Sequence, residues 1–247
     1  MAPNLTEMVY ALGAGDRLVG VTAWCNYPPE ARTKPVVGDA TSANLEMIVS
    51  LKPDLVLMVG TARTPLLPKL EGLNIPVLVF NPSSPEDIGR TIGTLGHALG
   101  RRAGADTLLE QMARQIEDLR SRVSVIPWES RPRVFAEISS NPLMTAGRNS
   151  FVGRMITLAG GRNIMGDLDA DYAVVNPELV VQRRPDMILV LHPQADRRQV
   201  SSRIGWESIP AVANGRIYDD LDMDVVLRAG PRYISGLKEL HRRMYAP

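Results

Sequence analysis

The strongest constraint on this chain is that part of it occurs twice. Residues 44–59, NLEMIVSLKPDLVLMV, align without a gap on residues 176–191, NPELVVQRRPDMILVL, at an offset of 132. Each copy opens on Asn, whose side-chain oxygen can accept an orphaned helix N–H, and carries Glu two positions later. Each then runs through a short amphipathic helix to a basic residue and Pro-Asp, and ends in a hydrophobic strand. Proline stops the helix because it has no N–H to donate, and aspartate opens the turn into the strand. Such an offset is too long for a solenoid repeat, so the economical reading is two similar α/β lobes.

Weaker echoes support that reading. MVYALGAGDRLVG (8–20) pairs with MITLAGGRNIMG (155–166), each reading as a helix, a glycine C-cap and a re-entry, and LNIPVLVF (73–80) pairs with ANGRIYDD (213–220). Strands are expected at Leu18–Thr22, Leu55–Val59, Val77–Phe80, Arg133–Glu137, Met187–Leu191 and Arg216–Tyr218. Most of these are near-continuous apolar runs, as in parallel strands covered on both faces. Ser84-Pro85-Glu86-Asp87 reads as a capping box with proline at N1. Between the halves, Ala105, Leu108, Leu109, Met112, Ile116, Leu119 and Val123 recur at helical spacing. They predict a helix over Arg101–Val123, roughly 34 Å long at 1.5 Å per residue. The expected fold class is α/β: two Rossmann-like lobes with parallel sheets, joined by a single long helix, with a ligand cleft between them. The expected boundaries are 1–100, 101–123 and 124–247.

Composition removes several function classes. The chain has 247 residues with 28 basic and 27 acidic side chains, a net charge of +1. It has no basic stripe to neutralise phosphates, so no nucleic-acid partner is expected. One cysteine, Cys25, excludes an internal disulfide and a thiolate zinc site. Its neighbour Trp24 invites a soft-ligand reading, against which stands that of a small buried hydrophobe. The longest uncharged apolar stretches fall far short of the roughly 20 residues a bilayer span needs.

No catalytic constellation emerges. Gly13-Ala14-Gly15 follows a helix and precedes a strand, the reverse of a dinucleotide turn, and reads as a C-cap. His97, His192 and His241 lack partners at motif spacing, although His192 lies just past a strand's carboxyl end, where ligands bind in open α/β sheets. Asp219, Asp220, Asp222 and Asp224 lack the mid-loop glycine and closing glutamate of a calcium loop. Glu46 and Glu178 occupy equivalent N2 positions. They either offset the positive end of a helix dipole or form paired docking points for a basic partner. Aromatics make up only 5% of the chain, so Trp24 and Tyr172, in loops past strands, stand out as grips for a flat apolar ligand or as loop anchors.

These segments, in this order, resemble the substrate-binding proteins of ABC importers that handle cobalamin, haem and iron–siderophores, most of all the vitamin B12-binding members. The resemblance is carried by APNLTEMVYALGAGDRLVGVT, YPPEA, the two repeat copies, TAGRNSFVGRMITLAGGRNI, IPAVANGRIYD and RAGPR. It implies a non-enzymatic capture protein with no resident cofactor or metal, expected to be a monomer. Its ligand would be cobalamin or a related corrinoid, with haem or a ferric siderophore as alternatives. It further implies that Glu46 and Glu178 dock on the permease dimer, that Trp24 and Tyr172 face the corrin, and that Asp224, with Pro3 and Asn4, belongs to the pocket. Ala40, Val59 and Met144 stand where the B12 binders place further aromatics, so a less aromatic pocket is expected.

Family members carry a short strand, and an export signal or lipid anchor, upstream of the Ala-Pro-Asn segment. The first lobe is therefore expected to show an unpaired strand edge, and the protein to be periplasmic or anchored at the cell surface. A rival from another class is a cytosolic chelatase-like enzyme using His192 and the Asp219–Asp224 loop on a metal-tetrapyrrole.

Overall fold

The computed structural model describes residues 2–39, 42–60, 65–194 and 196–245. They group into two compact units, Met1–Ala113 with Ala229–Pro231 and Arg114–Arg228 with Arg232–Pro247. The first unit contains α1 (Pro3–Ala11), α2 (Leu45–Ser50), β1 (Val56–Val59), α3 (Leu66–Gly72), β2 (Val77–Phe80), α4 (Pro85–Ala98) and the start of α5 (Arg102–Ser124). α1 opens on Pro3, whose missing N–H is no loss at a helix start, and buries Leu5, Met8 and Val9. Gly13 follows at φ +68°, the left-handed C-cap expected from the sequence. β1 and β2 pair in parallel, Val56 opposite Val77 and Val59 opposite Phe80. Beneath them Val37, Ile48, Val56, Met58 and Leu70 form one buried cluster, and Val21, Cys25 and Ala31 form another.

The strand expected at Leu18–Thr22 is reduced to a single parallel bridge from Val21 to Val36. The main-chain groups of Val21 bond on one side only, to Pro35 and Val37. A ladder satisfied along one edge over so few residues does not propagate into a strand. Ala229–Pro231 close this unit against α1, with the Asn4 amide donating to the Ala229 carbonyl at 3.2 Å.

In the second unit, β3 (Arg133–Ser140) and β4 (Leu143–Ala146) form an antiparallel hairpin, followed by α6 (Phe151–Leu158), β5 (Arg162–Asn163) and β6 (Tyr172–Val174). Then come α7 (Pro177–Arg183), β7 (Met187–Val190), α8 (Arg197–Ser201), α9 (Pro210–Ala213), β8 (Ile217–Tyr218), α10 (Met223–Val226) and α11 (Tyr233–Tyr245). The strand order is β6-β4-β3-β7-β8, with β5 also on β3. β3 runs parallel to β5 and β7, and β7 parallel to β8. All four residues of β7 are buried, as its unbroken apolar run requires. Phe135 meets Trp206 edge-to-face at 6.1 Å in a core that also holds Ile188, Val190, Val180 and Ile217.

The duplicated segment folds alike in both units. Asn44 accepts the Met47 N–H at the start of α2, and Asn176 accepts the Glu178 N–H at the start of α7. Lys52 and Arg184, at the same repeat position, both adopt the left-handed conformation, φ +47° and +46°. α5 spans the residues expected of it and buries Ala105, Met112, Leu119 and Val123.

Candidate ligand and docking residues

Glu46 and Glu178 sit in the first turns of α2 and α7, where the two asparagine caps have fixed the helix start. Both are exposed, and among the described residues neither carboxylate enters an ion pair. Other acids of the molecule are engaged. Asp167 pairs with Arg183, Asp186 with Arg133, Asp220 with Arg243 and Glu239 with Arg242. The guanidinium of Arg242, working against the carboxyl's own desolvation and joined by Arg243, draws Glu239 down to about 2. Each copy of the repeat thus carries one exposed carboxylate at the same helix position with no ion-pair partner among the described residues, as is also true of Asp54 and several other surface acids.

The remaining residues named from the sequence fall as follows. Trp24 lies in the turn after Val21 and is 63% exposed, and Tyr172 opens β6 at 45%. Neither ring is a core residue, which removes core packing as the rival reading. Partial burial, helped by the Asp171 charge, raises the Tyr172 phenol above its ordinary value and keeps it neutral. Val59 ends β1 and Met144 lies in β4 opposite Val174, both partly buried. Pro3 is the first residue of α1, and Asn4 is buried with its amide committed to Ala229. Asp224 lies in the first turn of α10 and pairs with Arg228 at 2.7 Å. Ala40 lies outside the described residues.

The structure accounts for the groups a chelatase would need. Asp219 accepts the Arg197 N–H, Asp220 holds Arg243, Asp222 caps α10 and Asp224 holds Arg228. No cluster of His, Cys, Asp or Glu suited to a metal occurs among the described residues. His192 is 5% exposed and its Nε2 lies 3.1 Å from Glu137. Glu137 is fully buried and also takes both terminal nitrogens of Arg203, at 2.6 and 2.7 Å. Arg203 stacks over Trp206 at 4.6 Å. This cluster ties the segment after β7 to β3. The sequence signal for it was slight, one acid near the end of the apolar run RVFAEISS. Cys25 is a small buried residue 3.2 Å from the hydroxyls of Thr6 and Thr22.

Two α/β units carrying copies of one repeat hold these exposed rings and unpaired acids. The periplasmic binding protein family model matches residues 1–222, and the chain belongs to that family. It is 34% identical over 250 residues to an uncharacterized ABC transporter substrate-binding lipoprotein of Bacillus subtilis (strain 168), covering 99% of this chain and 78% of that one. It is 30% identical to the vitamin B12-binding protein of Yersinia pestis (strain Pestoides F), covering 99% and 84%. Among solved structures, the periplasmic heme-binding protein from Roseiflexus sp. RS-1 aligns at TM-score 0.86 and 28% identity over 98% of this chain and 95% of that one. The chain is a substrate-binding protein of the transport kind, not an enzyme, and the chelatase expectation is withdrawn.

Proposed function

We propose that this protein captures a corrinoid, cobalamin or a close relative, outside the cytoplasmic membrane and delivers it to the permease of an ABC importer. The observation that carries the delivery step is the pair Glu46 and Glu178. They sit at equivalent positions of the duplicated segment, both exposed and both without an ion-pair partner among the described residues. A two-subunit permease presenting one arginine per subunit would meet one of these acids with each. Trp24 and Tyr172 supply flat, half-wetted rings that grip an apolar macrocycle at little entropic cost. Similarity to a vitamin B12-binding protein favours the corrinoid. Val59 and Met144, aliphatic and partly buried, together with the likeness to a heme-binding protein, favour haem as the second reading.

The deciding experiment titrates the protein with cyanocobalamin, cobinamide, haemin and a ferric siderophore, following tryptophan fluorescence and heat. Micromolar or tighter binding of a corrinoid alone is expected, and binding of haemin alone replaces the ligand. For delivery, Glu46→Arg with Glu178→Arg is expected to abolish stimulation of the permease ATPase while leaving ligand affinity within about twofold, as for groups that act only at a charged interface. Undiminished stimulation by the double variant reduces both acids to helix caps.

A further inference from the structure

The end of the second unit at which its parallel strands begin is rich in arginine. β3 runs parallel to β5 and β7, and β7 to β8, so their first residues share one end of the sheet. β3 and β5 start on Arg133 and Arg162, Arg216 immediately precedes β8, and Arg184 lies in the turn that leads into β7. At about 4.8 Å between neighbouring strands, this array spreads over roughly 15 Å. Arg131 and the short helical turn Trp128–Ser130 lead into β3 at the same end. Part of the set serves the fold. Arg133 pairs with Asp186, Arg131 donates to the Val123 and Ile126 carbonyls at the end of α5, and Arg216 donates to those of Arg243 and Met244 in α11. Arg162 donates to the Arg131 carbonyl at 2.9 Å. A carbonyl acceptor leaves the formal charge of a guanidinium in place. Arg184 is exposed and has no ion-pair partner among the described residues. Two acids lie among these cations, Asp186 paired with Arg133 and Glu129 exposed.

Apolar side chains project from the same end. Val125 is 79% exposed and Trp128 54%, with exposed Pro127 between them. The guanidinium carbons of Arg131 and Arg162 lie 5.6 and 5.9 Å from the centre of the Trp128 ring. An indole flanked by cations and half in water suits a boundary where apolar and anionic groups meet within a few ångströms. The headgroup layer of a bilayer containing anionic lipids is such a boundary, because tryptophan settles at headgroup depth and arginine takes the phosphates. Guanidiniums spread over four strand starts match a mobile array of phosphates better than the single fixed carboxylate of a protein partner.

We propose that this end of the second unit is a contact face for the anionic headgroup layer of a bilayer. Trp128 and Val125 enter the layer, and Arg131, Arg162 and Arg184 meet lipid phosphates. α7 ends at Arg183 beside this face, so its first turn, with Glu178, lies toward the other end of the unit. A molecule lying on a bilayer by this face turns Glu178 away from it. Where Glu178 has the docking role proposed above, the molecule must therefore let go of the lipid before it delivers.

The test sediments the full chain with vesicles of phosphatidylcholine, alone or with about one-third phosphatidylglycerol. Partitioning about tenfold or more stronger on the anionic vesicles is expected at low ionic strength, and most of that gain is expected to vanish near 0.5 M salt, roughly where screening leaves only short-range contacts. Tryptophan emission is expected to shift to the blue on anionic vesicles, and Trp128→Phe, which keeps Trp24 and Trp206, is expected to lose the shift. Arg184→Glu is expected to weaken partitioning about fivefold or more with Tm unchanged, since the position is exposed. Equal partitioning on the two vesicle types overturns the proposal. So does binding that neither variant weakens, which puts the contact elsewhere on the molecule. Binding to soluble polyglutamate without binding to anionic vesicles also overturns it, and assigns the face to an acidic protein. None of these readouts involves the permease, so their failure leaves the docking role of Glu178 standing.

Discussion

The duplicated segment sits in two sheets of unequal completeness. In the second unit, β7 is held on both edges and all of its residues are buried. In the first unit, β1 has the same kind of sequence and pairs with β2, but its other flank borders a groove and only Val56 and Met58 are buried. The local code is the same in both, from asparagine cap through left-handed basic residue to Pro-Asp. The difference lies in what the rest of the chain brings alongside. An apolar run specifies a buried strand only when a partner reaches its edge, because an unpaired buried N–H or C=O costs about as much as a lost hydrogen bond.

The comparison can be broken most forcefully at the polar cluster that the second unit alone contains. Arg203→Ala leaves the Glu137 carboxylate buried with His192 as its remaining partner, and is expected to cost about 3 kcal/mol in urea unfolding. A loss under about 1 kcal/mol would falsify the view that this ion pair holds the segment after β7.

A smaller effect separates the two aspartates of the repeat. Burial alone raises the Asp186 carboxyl, but hydrogen bonds from the guanidinium and main chain of Arg133 outweigh it and hold the carboxyl below its ordinary value. A carboxyl depressed in the folded state adds stability above its unfolded pKa, near 3.9, and loses it as pH falls through the folded value. Asp186→Asn is therefore expected to remove roughly 1 kcal/mol at pH 7, with the deficit closing below pH 4. Asp54→Asn should change stability at neither pH, since that carboxylate has no ion-pair partner among the described residues. Thermal melts of both variants at pH 7 and pH 3 make the check, and equal losses in the two would erase the distinction between the units.

The smallest effect tests what the units share. Lys52 and Arg184 hold φ near +47°, a region that costs an L-residue roughly 1 kcal/mol and glycine almost nothing. Lys52→Gly and Arg184→Gly are each expected to leave stability unchanged or raise it by up to about 0.5 kcal/mol after the greater freedom of unfolded glycine is deducted. Destabilisation of one but not the other, measured by chemical unfolding, would show that the copies differ locally after all.

Much of the fold was legible in the sequence because its signals are local. An asparagine that caps, a proline that ends a helix and an apolar run of four or five residues act through groups only a few positions away. The two asparagine caps, the Ser84 cap, α5 and the strands at 56–59, 77–80 and 187–190 all follow from such rules. The candidate residues were legible as types: two acids at matched positions and two aromatic rings in loops. Their exposure and lack of ion pairs were not, since those depend on which cations the fold brings near.

What the sequence alone determined, then, is the repeated cap–helix–turn–strand unit and the α/β class it enforces. The tertiary structure decided that Glu137 meets His192 and Arg203, 55 and 66 residues further along the chain, in one buried cluster. It also decided that Leu18–Thr22 forms one bridge instead of a strand, and that Asp186 has a partner where Asp54 has none. The physical reason is the same in each case. Helix caps and turns are satisfied within a few residues, whereas strand edges and buried charges are satisfied only by groups that arrive from elsewhere in the chain.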